Sequence, residues 1–156
     1  MCIQNFLTES LQMNNYAAES IVQYGVIRIV SCKEKGRSYV LRNTSGKNIQ
    51  KIHVDGNLIK SGTKCDYAVD VSGGEVVYLV ELKGSDKEHA FEQLTNTLDY
   101  FSKKFDTKNY YCRAVLSKDK SPNLIGKFEK LLIKAIKEKK CISYDTACVV
   151  YDKDRV

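Results

Sequence analysis

The sequence predicts an α/β or α+β protein built on a mixed central sheet flanked by helices. Three observations lead there. Stretches rich in β-branched and aromatic residues fill the first half of the chain and recur near its end. Two amphipathic stretches in the second half repeat their apolar residues at helical spacing. The two kinds alternate as helix, several strands, helix, strand, helix, strand.

Taken in order, residues 3–22 carry Ile3, Phe6, Leu7, Leu11, Ala17 and Ile21 among helix formers and are expected to be helical, with a break at Asn14-Asn15. Residues 25–30 and 38–41 read as strands around a turn at Lys33-Glu34-Lys35-Gly36. Residues 49–54 alternate, and Asp55-Gly56 is a turn signal. The clearest strands are residues 65–71 and 75–83, joined by Ser72-Gly73-Gly74 as a hairpin. A helix is expected from Asp86, with Ser85 as N-cap and Glu88 completing a capping box. Its buried stripe is Ala90, Leu94, Leu98, Phe101 and Phe105. A strand over residues 110–116 follows. Ser121-Pro122 then opens a second helix whose apolar face is Ile125, Phe128, Leu131, Leu132, Ala135 and Ile136. The last expected strand covers residues 147–151.

At 156 residues the whole chain, 1–156, has the length of a single domain that can build a core without staples. Its 43% apolar content argues against disorder. No apolar run approaches the roughly 18 residues that span a bilayer, and no secretory pattern opens the sequence, so a cytoplasmic location is expected. In that setting Cys2, Cys32, Cys65, Cys112, Cys141 and Cys148 are expected to be free, mostly buried thiols. The net charge of +6 suits an anionic partner without specifying one.

The chemistry concentrates in the predicted hairpin. Glu81 and Lys83 share one side of the second strand and Leu82 the other. Residues 76–80 are all apolar or aromatic, so this strand is expected to be buried on both faces, where a charge is costly unless paired or metal-bound. Asp66 and Glu81 lie at nearly equal distances either side of Gly73. A simple antiparallel register therefore sets them almost opposite one another. Two such carboxylates repel, and a hard divalent cation, Mg²⁺ or Mn²⁺, relieves the conflict. Lys83 would stand beside it, placed to stabilise developing negative charge or orient a water.

At these residues the sequence resembles the PD-(D/E)XK nucleases, which have the restriction-endonuclease-like fold. The likeness rests on Asp66 in Lys64-Cys65-Asp66-Tyr67, on Glu81-Leu82-Lys83, and on Gln93 in Glu92-Gln93-Leu94. It covers roughly residues 50–116. Cys65 stands where the proline of the family's name would be. The resemblance implies a core of helix, three strands, helix and strand, and a nuclease acting on DNA rather than RNA. It implies that Asp66 and Glu81, with the Leu82 carbonyl, hold the metal and that Lys83 supports the attacking water. Gln93 would orient Lys83 or contact the phosphate backbone. A further acid from the first helix is common in such proteins, and Glu9 and Glu19 both qualify. Asp55 and Asp70 are rival acids nearby, and His89 lies one turn before Gln93.

Basic residues outside the hairpin form two groups. One is Lys127, Lys130, Lys134, Lys137, Lys139 and Lys140, and the other is Lys103, Lys104, Lys108, Arg113, Lys118 and Lys120. Either could meet phosphate, though a solvated surface is the simpler reading. Arg28, Arg37 and Arg42 precede the hairpin, where bidentate phosphate contacts would be useful. Tyr110-Tyr111 is expected to pack in the core rather than stack on bases. Cutting both strands of a duplex needs two sites, so a homodimer is expected. The alternative function is a catalytically idle nucleic-acid-binding or partner-binding module on the same fold.

Overall fold

Backbone pairing divides the strands into two sheets, and the chain crosses between them three times. The computed structural model describes residues 16–156, apart from 83, 106, 108, 121 and 122. The strands are β1 (Ile21–Gly25), β2 (Ile29–Glu34), β3 (Arg37–Arg42), β4 (Ile49–His53), β5 (Tyr67–Val71), β6 (Val76–Leu82), β7 (Asn109–Leu116), β8 (Ser143–Cys148) and β9 (Val150–Arg155). The two helices are α1 (Lys87–Lys104) and α2 (Lys127–Lys137). The larger sheet has six strands in the order β1-β4-β5-β6-β7-β8 and the smaller has three, β2-β3-β9. Pairing is antiparallel from β1 to β6 and parallel from β6 to β8, so the large sheet is mixed and the protein is α+β.

Strand alternation gives the large sheet two apolar faces. Val77 and Leu79 of β6, with Cys112, Ala114 and Leu116 of β7, pack under Ala90, Phe91, Leu94, Leu98 and Phe101 of α1. Tyr78, Val80 and Leu82, with Val69, Val71 and Val115, pack against Val30, Cys32, Tyr39, Leu41 and Tyr151 of the small sheet. That is why residues 77–82 are buried without a break, as the apolar run predicts. Each fully buried large side chain contributes about 2–3 kcal/mol of transfer free energy.

Several boundaries differ from the sequence expectation. Of the helix expected over residues 3–22, the part up to residue 15 lies outside the described residues. Ala18–Ser20 is a single 3₁₀ turn, and β-branched Ile21 and Val22 begin β1, paired to β4. The strand expected over residues 25–30 is broken. Gly25, at φ +119°, ends β1, and β2 begins only at Ile29, because this segment carries the chain to the other sheet. Asn43 holds that crossing in place by donating from Nδ2 to the carbonyls of Ile27 and Lys47.

The N-cap of α1 is Asp86, not Ser85, with Oδ1 accepting the N–H of His89. Glu88 serves the other helix. α2 starts at Lys127, not at Ser121-Pro122, which lie outside the described residues, and its N-cap is Gly126, which has no side chain to offer. Glu88 Oε1 accepts the N–H of Phe128 at 2.6 Å and so caps α2 from across the helix pair. Of its expected apolar face only Leu132 is buried, while Ile125 and Leu131 are exposed.

The expected last strand is two strands. Val149 interrupts it at φ +67°, donates its N–H to Leu116 O in the large sheet, and accepts Ser38 N–H from the small one. A β-branched residue seldom takes this conformation. Here it turns the chain out of one sheet and into the other. The sheets are further joined by Arg113 of β7 and Asp154 of β9, paired at 2.8 and 3.1 Å. Arg113, expected as a candidate phosphate contact, is thus buried in an ion pair.

Candidate functional site

The β5–β6 register ends at Tyr67 opposite Val80, and the next step brings Asp66 to Glu81. Each carboxylate bonds the backbone of the opposite strand. Asp66 N–H donates to Glu81 Oε2 at 3.1 Å, and Leu82 N–H donates to Asp66 Oδ2 at 2.9 Å. The two carboxyl groups also lie within hydrogen-bonding reach of one another. Glu81 is buried, at 1% exposure, and Asp66 is half-buried.

The surroundings fix the Asp66 backbone from two sides. Its carbonyl accepts the N–H of Val54 at 2.9 Å. On the helix side, Thr97 Oγ1 of α1 accepts the Cys65 N–H at 2.8 Å and donates to Gln93 O at 2.7 Å. Gln93 Nε2 donates to Lys64 O at 3.2 Å, and its Oε1 is buried without a partner among the described residues. Gln93, expected to orient Lys83 or contact the phosphate backbone, has its side-chain amide on Lys64, while Thr97 holds Cys65. Thr97 was not singled out from the sequence. Its signal is the polar residue one turn beyond Gln93 on the buried helix stripe.

Burial pushes the Asp66 carboxyl above its ordinary range, and the charges of Glu34 and Asp55 push it further, against the stabilising Leu82 N–H. Glu34, on β2, also went unmarked in the sequence because it comes from the other sheet. Burial and the Glu81 charge hold the Cys65 thiol well above its usual range, so it stays protonated.

The other candidates fall as follows. Lys83 and Glu9 lie outside the described residues. Glu19 is exposed on the turn before β1. Asp70 is buried and structural: its Oδ2 accepts Tyr16 OH and its Oδ1 accepts Gly74 N–H, both at 2.6 Å. His89 is partly exposed and pairs with Glu92 at 3.2 Å. The Leu82 carbonyl already accepts Arg37 Nε at 3.3 Å, which leaves it one further lone pair. Arg42 is paired with Asp152, and Arg28 lies against the Thr44 carbonyl. The α2 lysines are all exposed. Tyr110 is buried, and Tyr111 stacks on Tyr78. Cys32, Cys65, Cys112 and Cys141 are buried free thiols, whereas Cys148 is exposed at the end of β8. Cys2 is outside the described residues.

Among the described residues no group of three or more His, Cys, Asp or Glu side chains is placed to hold a metal. Two adjoining carboxylates remain, and burial holds that of Asp66 above its ordinary pKa. That donor set fits Mg²⁺, which keeps several waters and commonly uses one or two protein carboxylates.

Compared with known proteins, the chain matches no family model, no curated protein and no solved structure.

Proposed function

We propose that this chain is a Mg²⁺- or Mn²⁺-dependent nuclease that hydrolyses phosphodiester bonds in DNA, on a restriction-endonuclease-like core. The observation that carries the reading is the meeting of Asp66 and Glu81 at the end of the β5–β6 hairpin, each held by the other strand's backbone. The chain order supports it too: a carboxylate-bearing hairpin, then α1, then β7 running parallel to β6.

Asp66, Glu81 and the Leu82 carbonyl would hold the cation. When bound, the ion lowers the pKa of its water and withdraws charge from the scissile phosphate. Gln93 and Thr97 keep residues 64 and 65, which lead into Asp66, fixed on α1. Lys83, which follows Leu82 in the sequence, is assigned to the developing negative charge on the phosphate. A homodimer would supply the second site that cutting a duplex requires.

The test is incubation of plasmid and single-stranded DNA with the protein in Mg²⁺, Mn²⁺ or EDTA, alongside Glu81→Ala. Cutting is expected only for the unaltered chain with metal. Cutting that persists in EDTA or in Glu81→Ala overturns the mechanism. Tight, salt-sensitive binding with no cutting under any condition would show an idle binding module instead.

A further inference from the structure

We infer that the tip of the β2–β3 hairpin, residues 33–37, is the seat of the DNA phosphate backbone beside the scissile bond, with Arg37 as the residue that grips phosphate. This rests on the nuclease reading and names how that site takes its substrate.

The hairpin belongs to the small sheet, yet its tip reaches the end of β6. Arg37 Nε donates to Leu82 O, one residue past Glu81, and the charge of Glu34 acts on Asp66. The tip is rigid. Glu34 pairs with Arg37, and the two residues between them, Lys35 at φ +47° and Gly36 at φ +79°, form a tight two-residue turn of the kind that matches strand twist. Residues 33–38 line a surface groove of about 370 Å³.

The charges there are held open. Among the described residues Arg37 makes no ion pair, and the one hydrogen bond of its side chain goes to a neutral carbonyl through Nε. That bond orients the guanidinium and leaves both Nη groups without a partner among the described residues. Lys33 and Lys35 are exposed, also without an ion pair among the described residues. By contrast, Arg42 and Arg113 are each closed by an aspartate. A polyanion approaching Asp66, Glu81, Glu34 and Asp55 meets repulsion. Three uncommitted cations on a stiff tip beside those acids counter it, and a planar guanidinium suits a phosphate oxygen pair.

The experiment is fluorescence anisotropy of labelled duplex DNA, single-stranded DNA and RNA of one sequence, in EDTA, over a series of KCl concentrations, with the full chain. Arg37→Ala is expected to weaken DNA binding about tenfold and to flatten the slope of log K against log salt by about 1. The pair Lys33→Gln with Lys35→Gln should flatten it by about 2. Arg37→Lys should restore the slope, and Lys130→Gln with Lys137→Gln on α2 should leave it unchanged. Unaltered slopes in both hairpin variants, an equal loss from the α2 pair, no DNA binding by the unaltered chain, or tighter binding of RNA than of DNA would each overturn the inference. The lysine pair is exposed, so a folding defect in Arg37→Ala leaves the test intact. The two readings fail separately. Hairpin-dependent binding without metal-dependent cutting refutes the nuclease and keeps the hairpin, whereas cutting with unchanged slopes does the reverse.

Discussion

Glu81 Oε2 accepts the backbone N–H of Asp66 at 3.1 Å, so a buried acid on one strand clamps the residue that carries the other acid. Leu82 N–H returns the bond to Asp66 Oδ2 at 2.9 Å, so each acid is tied to the other's strand.

A measurable consequence is the response of the melting temperature to metal. On the proposed function Mg²⁺ would bind only the folded pair, so it should stabilise the unaltered chain by about 2.7 kcal/mol at a hundredfold excess over Kd. Asp66→Asn and Glu81→Gln should show no such rise, as thermal melts with and without Mg²⁺ would reveal. Cleavage should fall at least about a hundredfold in both, as expected for loss of a transition-state interaction.

Without metal, pH should act through Asp66. Its folded-state pKa is raised above the ordinary 3.8, first by burial. The stabilising contribution is complete below 3.8, where folded and unfolded chains both hold the proton. As pH climbs, the unfolded chain ionises first, and stability declines until the folded-state pKa is passed. Urea midpoints measured across this range in EDTA should show the decline, and Asp66→Asn should remove it.

Asp70 separates structure from chemistry. It accepts Tyr16 OH and Gly74 N–H from a position 1% exposed. Asp70→Ala should cost about 2–4 kcal/mol by stranding buried donors. The rise in melting temperature on adding Mg²⁺ should persist in that variant.

Arg113 and Asp154 should be the most damaging pair to break. Their side chains are 6% and 11% exposed, and Tyr39 OH also donates to Asp154 Oδ2. Replacing either with Ala should cost about 3–5 kcal/mol, because the remaining charge is left buried. The double replacement should cost much less than the sum, which a double-mutant cycle would measure.

Val149 offers the opposite sign. It is 47% exposed at φ +67°, so its side chain contributes little packing in a conformation that disfavours it. Val149→Asn should stabilise the fold by about 1 kcal/mol, read from chemical denaturation.

What could be read in advance was what nearby residues decide. The Gly73-Gly74 turn and the alternation either side of it placed Asp66 opposite Glu81 by counting. Glu34 and Arg37 could not be found this way, because they arrive from a separate sheet whose docking depends on the whole apolar face. The break at Val149 had no local sign, since Ala147-Cys148-Val149-Val150 favours an unbroken strand. It is imposed by the need to serve two sheets. The Ser85-x-x-Glu88 pattern did not form a capping box, for Asp86 caps α1 and Glu88 reaches Phe128 rather than its own first turn. Lys83, to which the proposed function assigns the phosphate charge, lies outside the described residues.

That borrowed cap makes the start of α2 depend on α1. A short helix is costly to nucleate, and α2 begins at a glycine that cannot satisfy its own first amides. Its missing acceptor sits on α1, which precedes it in the chain and carries its own aspartate cap. α1 can therefore form on local signals and act as a template. α2 gains its full stability only on docking, and the carboxylate of Glu88 makes one helix the starting point of the other.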